Sequence, residues 1–220
     1  MSDTIILPDA PEELVFCTEE LPVLTGRITL PHRQGRNGRF NRYYRSFANA
    51  FERCCRRELL PRAESAYYRA LENAGPLPQW QAELTCRVTL QTERLLSLRS
   101  DTTVIGMGRP TAARRGDTWD LRRELLVSLP DCFTPRTPWR KQLLQHAANQ
   151  IETWESQGIA RYHDGWQHLL SRTFRPQDFY LTEDGLCFFF PLGAIAPEVE
   201  GLPTFCLPYS DEAGPFIPQV

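Results

Sequence analysis

The sequence predicts an α+β fold in which antiparallel sheets pack against one long N-terminal helix and two later helices, in two lobes. Residues 81–90 alternate strictly, with Ala82, Leu84, Cys86, Val88 and Leu90 on one face, the period of a half-buried strand. Phe40, Tyr43, Tyr44, Phe47, Phe51, Cys54, Cys55 and Leu59 recur at helical spacing and form one apolar stripe. Strand-like runs mostly neighbour other strand-like runs, which favours α+β over a doubly wound parallel sheet.

In chain order, Leu14–Cys17 and Thr25–Leu30 read as strands broken by Pro22 and Pro31. The stretch 32–39 is a turn-rich loop. Helix 40–60 follows, and Pro61 should kink or break it by removing a backbone donor. A helical pattern resumes with Ala63, Tyr67, Ala70, Leu71 and Ala74, then stops at Gly75-Pro76. The strand at 81–90 has an antiparallel neighbour at 94–105, joined through Gln91-Thr92-Glu93. A Gly/Pro/Arg loop at 106–116 leads to a short strand at Thr118–Leu121.

Three prolines in 130–138 mark a lobe boundary or a long connection. A second amphipathic helix carries Trp139, Leu143, Ala147, Ile151 and Trp154 on one face, with Pro138 suited to its first turn. A shorter helix over 162–173 buries Trp166, Leu169 and Leu170. Phe179–Leu181 and Leu186–Phe190 flank Glu183-Asp184-Gly185, and Asp-Gly between β-rich runs is a hairpin signal. Thr204–Leu207 is the final strand. The lobes are placed at 1–105 and 106–220.

Hydrophobic residues make up 41% and charged residues 24%, an ordinary balance that excludes a disordered chain. The net charge of −2 conceals an asymmetry. Residues 1–26 carry six acids and no base, residues 27–62 carry ten arginines against Glu52 and Glu58, and residues 176–220 carry seven acids and no base. Arg42, Arg45, Arg53, Arg56 and Arg57 share the polar face of helix 40–60 and are the candidate polyanion-binding residues. The rings of Tyr43, Tyr44 and Phe47 fall on the opposite, buried face, which argues against nucleic-acid stacking. Lys141 is the only lysine.

No secretory signal is visible in MSDTIILPDA, and no run approaches the ~20 apolar residues of a membrane span. As written, the chain reads as cytoplasmic. The seven cysteines, odd in number and without C-x-x-C spacing, read as reduced thiols. Cys54-Cys55 reads as a pair of buried structural thiols, although nearby arginines could lower a thiol pKa.

Chemistry-bearing motifs are sparse. There is no G-x-S-x-G, S-x-x-K or Walker loop. Gly106-Met107-Gly108-Arg109-Pro110 lacks a third glycine and reads as a plain loop. His163 and His168 stand five apart and point away from each other on a helix, so they do not form a zinc pair. Asp117 and Asp120 point to opposite faces of a strand, which argues against an acid/base pair. Glu183 and Asp184 are turn residues. No catalytic residue, metal or cofactor is expected.

One ordered set of residues is more specific. Pro176–Leu186, the aromatic run 188–190, Ile195-Ala196-Pro197, Gly201-Leu202-Pro203 and Leu207–Ser210 occur in sequence. With Ile28–Pro31, Phe40–Tyr44 and Asp117–Leu121, they resemble the RsiV/PdaC-like C-terminal domain family of bacteria, over about residues 12–212. That domain of unknown function is shared by lysozyme-sensing anti-sigma factors and peptidoglycan deacetylases. The resemblance implies an α+β domain that sits outside the membrane and binds a protein such as lysozyme, or accompanies a separate catalytic domain. Many relatives carry a Gly-Gly-Ala-His-like loop; the corresponding residues 106–111 here lack the histidine.

The expected function is therefore non-catalytic binding or sensing of a protein or envelope glycan by a monomer or weak dimer. The alternatives are polyanion binding through the arginine face and an unrecognised cell-wall hydrolase.

Overall fold

A computed structural model describes residues 5–34, 38–108 and 110–218. Residues 35–37 of the turn-rich loop, Arg109 and the first four residues of MSDTIILPDA lie outside the described residues. The fold is α+β. In order it has β1 (Ile5–Ile6), β2 (Glu12–Thr18), β3 (Leu21–Thr29), β4 (His32–Arg33), α1 (Arg39–Cys54), a π-helical turn (Cys55–Leu59) and α2 (Leu60–Glu72). Then follow β5 (Trp80–Gln91), β6 (Leu95–Ile105), β7 (Thr111–Asp120), β8 (Leu125–Leu126), α3 (Trp139–Ser156), α4 (Trp166–Thr173), β9 (Phe179–Leu181), β10 (Gly185–Phe189) and β11 (Thr204–Pro208). Sheet orders are β1-β4, β2-β3-β5-β6-β7-β8 and β11-β10-β9. The chain divides into two compact units: residues up to Arg87 with Ser100–Ala112, and Val88–Arg99 with residues from Ala113 on.

In the first unit β2 and β3 form an antiparallel pair, Leu14 opposite Gly26. β3 and β5 run parallel, Leu24 opposite Trp80, so this sheet is mixed rather than purely antiparallel. The reason is the connection: α1 and α2 form a helical crossover, which returns the chain in the same direction. The core joins Phe51, Cys55, Leu59, Ala63 and Tyr67 of the helices to Phe16, Val23, Leu24, Ile28, Ala82 and Leu84 of the strands.

Those five helical residues are each four apart. In an unbroken α-helix such a row drifts by roughly 40° per step. The π turn reverses that drift once, and the row keeps facing the sheet. The same turn accommodates Pro61. Leu60 donates its N–H to the Cys55 carbonyl, five residues back, where an α-helix would use the fourth. Pro61 therefore does not end the helix. Asn41 ties α1 to β4, accepting from the Arg33 N–H and donating to its carbonyl, both at 2.8 Å.

In the second unit β10 is central, antiparallel to β9 and β11. Thr182 donates its N–H to Gly185 at 2.9 Å, closing the Asp-Gly hairpin. Leu143, Ala147 and Ile151 of α3 and Trp166 and Leu170 of α4 pack with Leu186, Phe188, Phe190 and Phe205. Trp154 stacks on Phe205 with centroids 5.7 Å apart. The other face of the sheet carries Tyr180, Cys187 and Phe189, over which lie the Arg99 and Arg114 guanidiniums, 6.0 and 5.9 Å from the Tyr180 and Phe189 centroids.

Three elements differ from the sequence reading. β7 begins at Thr111, so half of the expected loop 106–116 is strand; there Arg114 reaches Phe189 and Arg115 reaches Asp117. α4 starts at Trp166 rather than 162, because Gly165 is left-handed (φ 72°) and the His163 N–H is given to Ile195. Third, the cysteines are not all reduced. Cys187 and Cys206 face each other across β10 and β11 and form a disulfide; cross-strand register, invisible in residue spacing, brings them together.

A buried polar joint links β6, β7 and β9. Ser97 and Thr118 are fully buried, their hydroxyls 2.9 Å apart, and the Leu181 N–H donates to Ser97 Oγ at 2.8 Å. Ser97→Ala strands that N–H without an acceptor. The expected loss is about 1–3 kcal/mol, read by urea denaturation; a loss below about 0.5 kcal/mol, the usual size of a neutral surface change, would show the joint to be dispensable.

Candidate functional site

The two buried carboxylates of β7 are engaged in holding the fold. Asp117 and Asp120 are almost wholly buried, at 4% and 2% exposure. Asp117 Oδ1 accepts from Arg115 Nε at 3.0 Å. Asp120 Oδ1 caps the turn after β7, accepting from the N–H groups of Arg122 and Arg123 at 2.9 and 3.1 Å. Its Oδ2 lies 3.8 Å from Arg94 and 3.7 Å from Arg123. Glu183 and Asp184 are exposed in the hairpin turn.

The histidines are dispersed. His32 is on β4, His146 pairs with the Cys206 carbonyl, His163 with the Gly193 carbonyl, and His168 is exposed on α4. Among the described residues no group of three or more His, Cys, Asp or Glu is placed to hold a metal ion.

The adjacent thiols are not activated. Burial pushes Cys55 up to about 11, with the neighbouring Cys54 adding to it. Burial and the Glu58 charge raise Cys54 against the lowering effect of Arg62. Burial pushes Cys132 up to about 12. All three are protonated at neutral pH and poor nucleophiles.

The five candidate arginines lie where helical spacing puts them. Arg42, Arg45 and Arg53 are exposed on α1, and Arg56 and Arg57 on the π turn. Arg56 is engaged locally, 2.9 Å from Glu52 and 5.1 Å over the Phe16 ring. Tyr44 and Phe51 are buried and Tyr43 and Phe47 half-buried, so the rings do not interleave with the arginines as a base-stacking platform.

An apolar concavity runs as a groove between α3 and α4, with a volume of about 670 Å³, within the usual range for small-ligand sites. Trp139, Leu144, Ala148, Trp166 and Leu170 line it, and Arg140 and Lys141 are its charged residues. Its origin is local. Leu143 and Ala147 face the core and are fully buried, whereas Leu144 and Ala148, each one position further on, are half-buried. The doubled pairs Leu143-Leu144 and Ala147-Ala148 widen the apolar arc of α3 beyond what the sheet covers. α4 supplies the second wall, and Arg140 fastens it by donating to the Ser171 carbonyl at 2.8 Å. The sequence reading missed this site, although those doubled pairs were its signal.

Two solved structures have the same fold. A DUF3298-family protein of Bacteroides fragilis superposes with a TM-score of 0.61 at 16% identity, covering 94% of this chain and 91% of its own. A DUF3298-family protein of Pseudomonas aeruginosa gives 0.53 at 18%, covering 92% and 91%. No curated protein matches the sequence. Among the described residues no helix is long and apolar enough to cross a membrane. The family model described as "Protein of unknown function (DUF3298)" matches residues 130–210, the stretch that holds α3, α4, β9, β10 and β11 and therefore the groove.

Proposed function

We propose that the chain is a non-catalytic binding or sensing domain of the RsiV/PdaC-like type and that the groove between α3 and α4 is its ligand site. The observation that carries this reading is the contrast between the two kinds of site. Buried carboxylates are spent on turns and guanidinium pairs, while the large apolar concavity has no carboxylate or histidine in its lining. Such a groove suits recognition and offers no carboxylate or imidazole for general acid or base work. Its partner, a protein or an envelope glycan, must present an apolar element: a hydrophobic side chain or an acyl substituent. The Cys187–Cys206 disulfide supports maturation in an oxidising compartment, as the family resemblance implies, rather than in the cytoplasm.

The test uses lysozyme and acylated envelope glycan as probes, with Ala148→Trp as the variant. Ala148 lines the open groove and is half-buried, so an indole there fills the site. Binding of one probe should weaken at least about tenfold, roughly 1.4 kcal/mol, with the melting curve unchanged. Undiminished binding would refute the site assignment, and release of cleaved glycan would establish the hydrolase alternative.

A second reading is favoured by the uniform exposure of Arg42, Arg45, Arg53, Arg56 and Arg57, which suits a polyanion. Heparin binding that falls steeply with salt, and is lost on replacing Arg45, Arg53 and Arg57 by Gln, would support it. Binding to the triple variant as tight as to the wild type would remove it.

A further inference from the structure

The charge of the groove narrows its ligand. Both of its charged lining residues, Arg140 and Lys141, are cationic, in a chain of net charge −2. Arg140 is anchored at the α4 end by the Ser171 carbonyl, with its guanidinium carbon 5.6 Å from the Phe174 centroid. Lys141 is exposed beside it and is the sole lysine of the protein. The remaining polar lining residues are Thr137, Gln145, Gln167 and Ser171. Trp139, Leu144, Ala148, Trp166 and Leu170 supply the rest of the surface together with Pro138.

A bare sugar ring would set hydroxyls against this apolar lining without enough partners, a costly arrangement. A cationic ligand would meet Arg140 and Lys141 as like charges. An apolar chain ending in an anion satisfies both parts: the chain fills the concavity and the head takes charge-assisted hydrogen bonds at the cationic end. We propose that the α3–α4 groove binds a monomeric anionic amphiphile, its acyl or aryl chain between the two helices and its carboxylate- or phosphate-like head on Lys141 and Arg140. This rests on the reading of the groove as the ligand site and goes beyond it, in that the occupant is a free amphiphile rather than a segment of a protein or glycan.

The experiment titrates the intact protein with dodecanoate below its micelle concentration, following tryptophan fluorescence, since Trp139 and Trp166 line the groove. Dodecanol and dodecyltrimethylammonium serve as the uncharged and cationic twins, and far-UV circular dichroism confirms that the fold is retained. Dodecanoate should saturate at one equivalent and bind about tenfold more tightly than dodecanol, the size of a charge-assisted hydrogen bond. Lys141→Gln, an exposed change that leaves the core alone, should remove most of that preference, and Ala148→Trp should weaken both ligands. Dodecanoate should also slow acetylation of Lys141, an unambiguous mass-spectrometric readout because no other lysine exists.

Equal affinity for dodecanoate and dodecanol would overturn the anionic assignment while leaving the groove as an apolar ligand site. Failure of both to bind would remove the site itself. Tightest binding of the cationic twin, or binding to phosphatidylglycerol vesicles without binding of free dodecanoate, would also overturn the proposal.

Discussion

Gly116→Ala is expected to destabilise the protein by more than about 3 kcal/mol, at or beyond the upper end of ordinary overpacking costs. A Cβ on Gly116 would stand 1.8 Å from the Phe179 carbonyl oxygen and 2.5 Å from its carbon. These are backbone atoms of β9, so no rotamer change can relieve the overlap. β9 is held from the other side by β10, and the bond from the Leu181 N–H to Ser97 of β6 fixes it against β7. The strand must shift as a whole or leave the sheet. Gly75→Ala is the matched control: its Cβ would come no closer than 3.8 Å to another heavy atom, and its effect should stay within about 0.5 kcal/mol. Urea denaturation of both variants checks the pair. A Gly116→Ala loss as small as that of Gly75→Ala would show that β7 and β9 do not approach so closely.

The second large effect concerns the disulfide. Replacing Cys187 and Cys206 together by Ser is expected to cost about 3 kcal/mol, the chain-entropy value for the 19-residue separation they close. Wild-type protein treated with reductant should show a similar loss. Thiol titration of unreduced, denatured protein should find five free cysteines, Cys17, Cys54, Cys55, Cys86 and Cys132. Seven thiols would contradict the bond. The double variant also separates two roles: if the disulfide is purely structural, ligand binding in the groove survives wherever the variant is folded.

Much of the fold was legible in the chain. The alternation over 81–90 became β5, the stripe from Phe40 to Leu59 became the packed face of α1 and its π turn, and Asp184-Gly185 became the hairpin. These are local patterns, written in the spacing of apolar residues and in turn chemistry. What escaped was set by partners far away in sequence. The parallel pairing of β3 with β5 depends on where the helical crossover returns the chain. The first half of β7 carries two adjacent arginines and reads as loop, but Arg114 lies over Phe189 and donates to the Thr204 hydroxyl, both distant in sequence. Gly116 looks like a loop residue in sequence but is required by the approach of β9. The arginine face was read correctly as exposed, because exposure of a charged helical arc is itself a local property. The groove was not read, because it needs two helices, and only their packing shows which apolar residues of α3 remain uncovered.

The measurement that bears most directly on this account is hydrogen exchange of the intact protein with and without saturating dodecanoate. Peptides spanning Thr137–Ala148 and Trp166–Ser171, which line the groove, should exchange more slowly with ligand present, and those spanning Arg39–Leu59 should be unchanged. Protection confined to Arg39–Leu59, or spread evenly over the chain, would contradict a binding site between α3 and α4.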